Sequence, residues 1–273
     1  MTNKKYKMDI IMWINNKEFE IKRFSSGEMK LKEAELLSLS EENQVEIVFN
    51  NEISLFELQI LINYFNLKDI KVNLVLGYLP YQRMDKNNGI EVTTIDMVAE
   101  IFNNLHLQNL YVCEPHCNLT RFRNAKKINL VEKIFDRIKN IIHYNPESDY
   151  LVFTDKGSVE KYGKLSQNSI YFEKIRAKDT GLISSHRIIG DVNSLKKAII
   201  VDDIISSGDT IVSCLELLPQ DIDIYIISGH FEDNIYNQRI FEDKRVKTIF
   251  SSNSLTKIER PKLKLFDIKD LIK

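Results

Sequence analysis

AIIVDDIISSGDT, residues 198–210, reads as an apolar strand that delivers Asp202 and Asp203 to its C-terminal edge. A hydroxyl-bearing turn containing Gly208 then opens the next helix, where free backbone N–H groups can cradle a phosphate. In an open α/β sheet that edge is where ligands bind. Working outward, strand 197–201 leads to helix 210–218, strand 222–228, helix 234–241 and short strands at 246–250 and 264–267. Upstream lie helix 130–142, strand 150–153, a glycine-containing turn and helix over 155–164, strand 169–172 and then a loop. The first half repeats the alternation. A hairpin of 8–14 with 19–22 turns at Asn15-Asn16, followed by strand 45–49, helix 54–66, strand 72–76, a helix from Thr94 with Thr93 or Thr94 as N-cap, and strand 110–113. Strands alternating with helices through both halves predict an α/β fold of two mainly parallel sheets flanked by helices, with an N-terminal β-hairpin. The two domains are expected at 1–126 and 127–273, joined near residues 123–129.

At 273 residues the chain is long enough for such cores without disulfide or metal staples. Its 38 Lys and Arg against 39 Asp and Glu supply no global field for nucleic acid or an anionic membrane, so anion binding has to be local. No apolar run approaches the ~18 residues of a membrane span. Cys113, Cys117 and Cys214 are too few for a secreted disulfide framework, and the polar start MTNKKYKMDI lacks a signal-peptide segment, so a cytoplasmic location is expected. Cys113 and Cys117 flank His116, but no second Cys/His pair completes a zinc site.

The 198–210 pattern resembles the phosphoribosyl-diphosphate motif shared by phosphoribosyltransferases and ribose-phosphate diphosphokinases. Four further segments are similar to the diphosphokinases alone. RFSSGE at 23–28 resembles their RFSDGE, and GYLPYQRMDK at 77–86 their PYxPYxRQDK. CEPH at 113–116 resembles VDLH, and EKIR at 173–176 with IIGDV at 188–192 resembles the DKRR loop and its IGDV return. Order and spacing match from about Arg23 to the C-terminus. The resemblance implies two phosphoribosyltransferase-type domains and a kinase in which the anomeric hydroxyl of ribose 5-phosphate attacks the β-phosphorus of Mg-ATP and AMP leaves. Such a reaction needs positioning and charge neutralisation more than a covalent nucleophile.

Carried over residue by residue, the resemblance gives Lys174 and Arg176, on a mobile loop, the catalytic role of closing on the developing phosphoryl charge. It assigns Phe24, Glu28, Arg83, Met84, Asp85 and His116 to ATP, with Phe24 and Glu28 reaching from a neighbouring subunit of a homodimer or larger homo-oligomer. His116 and Asp155 are implied ligands of Mg²⁺, a hard cation that leans on phosphate oxygens and retained waters. Asp202 and Asp203 suit the ribose hydroxyls, and Ser206, Ser207, Gly208, Asp209 and Thr210 the sugar phosphate.

The sequence also departs from the family. DTGGT becomes SSGDT, which places Asp209 beside the phosphate cradle, where its charge opposes a dianionic phosphomonoester. Met84 replaces Gln, Glu114-Pro115 replaces Asp-Leu, Ser26 replaces Asp, the turn Asp155-Lys156-Gly157-Ser158 has one glycine fewer, and a hairpin stands for the first helix. Ribose 5-phosphate is the expected acceptor. The alternative is the esterified 5-phosphate of ADP-ribose, whose diphosphate could feed nicotinamide nucleotide synthesis. A base-consuming phosphoribosyltransferase is opposed by the first-half segments, and a non-catalytic regulatory subunit by retention of the cationic residues.

Overall fold

The structure, a computed structural model, describes residues 10–51, 53–87, 89, 91–176, 183–192, 195–258 and 260–273. The chain divides into two compact units, residues 1–128 and 129–273.

In the first unit, β1 (Ile10–Ile14) and β2 (Lys17–Arg23) form the expected hairpin. Asn15 and Asn16 both adopt positive φ, 48° and 60°, the backbone that matches the twist of a two-residue turn and that Asn tolerates well. β3 (Met29–Lys30) and the short helix α1 (Glu33–Leu37) follow. Then β4 (Gln44–Phe49), α2 (Leu55–Leu67), β5 (Lys71–Leu76), α3 (Thr94–Asn103), β6 (Asn109–Cys113) and β7 (Ala125–Ile128) complete a sheet ordered β3-β2-β1-β4-β5-β6-β7. β4 to β7 are parallel, whereas β1, β2 and β3 add antiparallel. α2 starts at a full capping box, because Ser54 accepts from Glu57 N while the Glu57 carboxylate accepts from Ser54 N at 2.9 Å. Thr93 takes the N-cap position of α3 without a side-chain bond to the helix. Alternate residues Val45, Ile47 and Phe49 of β4, and Val72, Leu74 and Leu76 of β5, pack in one core with Leu58, Ile62 and Phe65 of α2. β7 places the end of this unit at Ile128, two residues beyond the expected division after 126.

The second unit contains α4 (Leu130–Ile138), β8 (Tyr150–Phe153), α5 (Lys156–Tyr162), β9 (Ser169–Arg176), β10 (Ile183–Ile189), β11 (Lys197–Ile205), α6 (Asp209–Leu217), β12 (Asp223–Phe231), α7 (Gln238–Glu242), β13 (Val246–Ser252), β14 (Leu263–Phe266) and α8 (Ile268–Ile272). Its sheet order is β10-β9-β8-β11-β12-β13-β14, parallel except for β10. The chain leaves β8 toward β9 and returns to the other side of β8 as β11. That reversal makes the carboxyl ends of β8 and β11 a topological switch point.

Four expectations need correction. The helix read over 130–142 ends at Ile138, and a turn follows in which His143 has φ 49°, a conformation no right-handed helix continues through. The segments 155–164 and 234–241 each contain a 3₁₀ turn, Gly163–Leu165 and Ile235–Asn237, beside a shorter α-helix. β11 runs four residues past Val201, because β12 goes on pairing with it as far as Ile205↔Phe231. Finally, Lys174 and Arg176 do not lie on a loop: their backbone belongs to β9, paired antiparallel with β10 at His186 and Ile183.

Candidate active site

In the second unit the site grows from the ends of β8 and β11. β8 pairs with β11 only as far as Val201↔Phe153, so Asp202 and Asp203 stand on a part of β11 that projects past its neighbour. Asp155 follows β8 and caps α5, its Oδ1 accepting from Ser158 N at 2.9 Å, while the buried Thr154 and Ser158 hydroxyls bond to each other at 2.9 Å. Lys161, one turn further along α5, forms an ion pair with the buried Asp203. Sequence reasoning missed Lys161. The two residues are 42 apart in the chain, and only the β8–β11 adjacency brings them together.

Burial and the neighbouring Asp203 and Asp155 carboxylates push the Asp202 carboxyl up to about 8, against the opposing pull of the Asp203 N–H and of Lys161. An unfolded aspartate ionises near ~4, so between that pH and about 8 the folded chain binds more protons than the unfolded one. Stability therefore falls as pH rises through this window and levels off above it. Asp202→Asn removes the effect: in thermal melts without ligand its midpoint is expected above wild type at pH 8, with the difference vanishing toward pH 4. An equal difference at both pH values would contradict the assignment.

The loop after β11 is shaped by what lies beneath it. Gly208 is the N-cap residue of α6 with φ 80°, and a Cβ there would come 2.6 Å from Ile240 Cδ1 and 3.3 Å from Asn237 Cβ. Ser206 Oγ donates to Glu232, and the Ser206 carbonyl accepts from the amides of Asn234 at 3.0 Å and Asn237 at 3.3 Å. These supports from the β12–α7 connection carried no signal in the sequence. Asp209, exposed in the first turn of α6, accepts from Ser207 Oγ at 2.8 Å. A carboxylate thus stands at the helix end whose N–H groups favour an anion.

In the first unit three of the quoted segments meet at one sheet edge. β2 runs antiparallel to β1, which runs antiparallel to β4, so the turn after β2 lies at the same edge as the loops after β5 and β6. In that turn Gly27 N donates to Phe24 O and Phe24 N to Glu28 O, both at 2.9 Å, with Gly27 at φ 95°. Phe24 is exposed beneath the Lys30 ammonium, and Glu28 accepts from Ser26 Oγ at 2.7 Å. Arg23 pairs with Glu57, and that hydrogen bond holds the Glu57 carboxyl below its ordinary range. In the loop after β5, Arg83 is exposed and Met84 and Asp85 half-buried; the Asp85 carbonyl accepts from Arg121 at 3.2 Å.

Gln82, fully buried in that same loop, accepts from His116 N at 2.7 Å and so ties the loop after β5 to the loop after β6. Before His116, Glu114 takes φ 40° and buries its carboxylate 3.1 Å from Lys127. Gln82 is a further residue that sequence reasoning passed over. Among the described residues no three His, Cys, Asp or Glu side chains cluster as a protein-only metal cage.

Two units, each with a largely parallel sheet flanked by helices, define a two-part α/β protein whose candidate site residues gather at the carboxyl edges of the sheets. No protein-family model matches the chain. It is 26% identical over 207 residues to the ribose-phosphate pyrophosphokinase of Sulfurisphaera tokodaii, covering 72% of this chain and 70% of that one. The corresponding protein of Sulfolobus acidocaldarius is 25% identical over 232 residues, 80% and 77% of the two chains, and that of Thermococcus kodakarensis 29% over 212 residues, 74% and 72%. The fold matches the crystal structure of a phosphoribosylpyrophosphate synthetase from Mycobacterium smegmatis with TM-score 0.70, 21% identity and coverage of 92% and 86%. At 23–29% identity over most of its length, the chain is similar to the ribose-phosphate pyrophosphokinases, which are transferases. No helix among the described residues is long and apolar enough to cross a membrane.

Proposed function

We propose that the protein transfers the β,γ-diphosphoryl group of Mg-ATP to the anomeric hydroxyl of ribose 5-phosphate. The hydroxyl oxygen bonds to the β-phosphorus, the bond from that phosphorus to the oxygen bridging the α-phosphate breaks, AMP leaves with the bridging oxygen, and the hydroxyl proton goes to solvent. The observation that carries the reading is the switch point of the second unit, where Asp202, Asp203 and the Gly208-capped α6 adjoin one another. Carboxylates there accept from vicinal ribose hydroxyls, and the loop 206–210 offers N–H groups to the 5-phosphate.

Phe24 and Glu28 hold adenine, and Arg83, Met84, Asp85 and His116 hold the rest of the nucleotide. Lys174 and Arg176 stabilise the charge spreading over the transferred phosphoryl oxygens. His116 and Asp155 would hold Mg²⁺, which when bound neutralises triphosphate charge.

Asp209 supports a second acceptor. A phosphomonoester carries two charges and three non-bridging oxygens toward this carboxylate, whereas the 5-phosphate of ADP-ribose, joined to a second phosphate, carries one charge and two non-bridging oxygens. The deciding experiment is AMP release from Mg-ATP with ribose 5-phosphate and ADP-ribose offered separately and the product weighed. AMP with ribose 5-phosphate supports the first acceptor, and AMP with ADP-ribose alone supports the second. In either case Asp209→Gly is expected to raise kcat/KM for ribose 5-phosphate relative to ADP-ribose by about tenfold, the scale of one repulsive contact. An unchanged ratio removes Asp209 from acceptor choice, and AMP from neither substrate overturns the proposed activity.

A further inference from the structure

The loop after β11 keeps one of its carbonyls turned inward. Ser206 O accepts from Nδ2 of Asn234 at 3.0 Å and of Asn237 at 3.3 Å, both residues of the connection between β12 and α7. Gly208 packs directly against Asn237 and Ile240, so this connection is the floor on which the loop rests. A trans peptide points its carbonyl and its N–H in opposite directions, and the N–H that shares a peptide with the Ser206 carbonyl is that of Ser207. With the carbonyl held to the floor, the Ser207 N–H is directed away from it, to the open side of the loop. Among the described residues no group accepts from Ser207 N, Gly208 N or Asp209 N. The hydroxyls, in contrast, are engaged: Ser206 Oγ donates to Glu232 and Ser207 Oγ to Asp209, so the loop meets an anion with backbone N–H groups whose direction matters.

Asn237 is committed to this arrangement by its own bonds. It is fully buried, its Nδ2 also donates to the Glu232 carbonyl at 2.6 Å, and its Oδ1 has no partner. Two carbonyl partners fix which way the amide faces, because only its NH₂ can donate to them. A buried amide serving stability alone would have its oxygen satisfied as well. Asn234 divides its two atoms differently: Oδ1 accepts from Tyr236 N at 2.9 Å and Asn237 N at 3.3 Å, which caps the 3₁₀ turn and leaves Nδ2 for Ser206. We infer that Asn234 and Asn237 are positioning residues for the acceptor's 5-phosphate: by holding the Ser206 carbonyl to the floor they aim the Ser207 N–H at the anion. Without them the 206–207 peptide can turn over and present the negative end of its dipole to the phosphate. The inference rests on the proposed reading of the loop 206–210 as the sugar-phosphate cradle.

Two variants of the full chain test it. Asn237→Leu removes both amide donors at similar volume, and Asn234→Ser keeps an oxygen to cap the 3₁₀ turn while losing the donor to Ser206. Ribose 5-phosphate and ADP-ribose are titrated separately into each protein by calorimetry, without nucleotide. The acceptor that binds wild type is expected to bind each variant at least about tenfold more weakly, the scale of one hydrogen bond to a charged group. In turnover, KM for that acceptor rises by the same factor while kcat and KM for Mg-ATP stay within about twofold, the signature of lost uniform binding. Unchanged acceptor affinity in variants of native circular dichroism, an equal rise of KM for Mg-ATP, loss of fold in both variants, or a wild type that binds neither acceptor overturns the inference. The proposed activity fails separately: a wild type that binds an acceptor but releases no AMP ends that activity, while weaker acceptor binding by the variants still upholds the role of Asn234 and Asn237.

Discussion

Replacing Lys174 with alanine is expected to lower kcat at least ~10²-fold, the scale of losing one donor aimed at transition-state charge, while KM for ATP changes little. The backbone makes the position suitable. Lys174 and Arg176 have their backbone in β9, and β10 pairs with both positions. A cation carried on a paired ribbon needs less reorganisation to meet the developing charge than one on a free loop. Single-turnover AMP release from pre-bound Mg-ATP isolates the chemical step. Turnover unchanged in Lys174→Ala would remove this residue from the mechanism, and recovery in Lys174→Arg would assign the effect to charge.

Gly208→Ala should destabilise the second unit by about 2–4 kcal/mol, the sum of a left-handed backbone penalty and an overlap in a packed region. The overlap has an identified partner, since the new Cβ would lie 2.6 Å from Ile240 Cδ1. Adding Ile240→Val to Gly208→Ala should therefore return part of the loss, leaving the φ 80° term behind. Urea unfolding of the four proteins in the double-mutant cycle measures the coupling. Additivity would show that the side-chain overlap is relieved by movement of the loop.

What could be read from the sequence and what could not separates by the range of the interactions. The Asn15-Asn16 hairpin, the helix read over 54–66 and the apolar run entering Asp202 are local signals, each contained within a short stretch of chain, and each corresponds to an element of the structure. The ribbon at Lys174 is different. Glu173-Lys174-Ile175-Arg176 has loop-like composition, and it is a strand because β10 pairs with it. β7, with two lysines in four residues, is likewise a strand only because β6 offers it an edge. The same holds inside the site. Residues 202–210 were marked by pattern, but Lys161 opposite Asp203, Glu232 against Ser206 and Gln82 behind His116 follow from tertiary adjacency. The supporting shell is long-range in sequence, and residue pattern carries no record of it.

The burial of all three cysteines has a practical consequence. Cys113 and Cys117 belong to the first unit and Cys214, on α6, to the second. A membrane-impermeant alkylating reagent can modify them only when the local structure opens, so the unaltered protein carries its own chronometer for fluctuations. Mass spectrometry of pulse-labelled protein would time the breathing of each half separately. Substrates that protect Cys214 alone, or the Cys113–Cys117 pair alone, would reveal which half each one tightens.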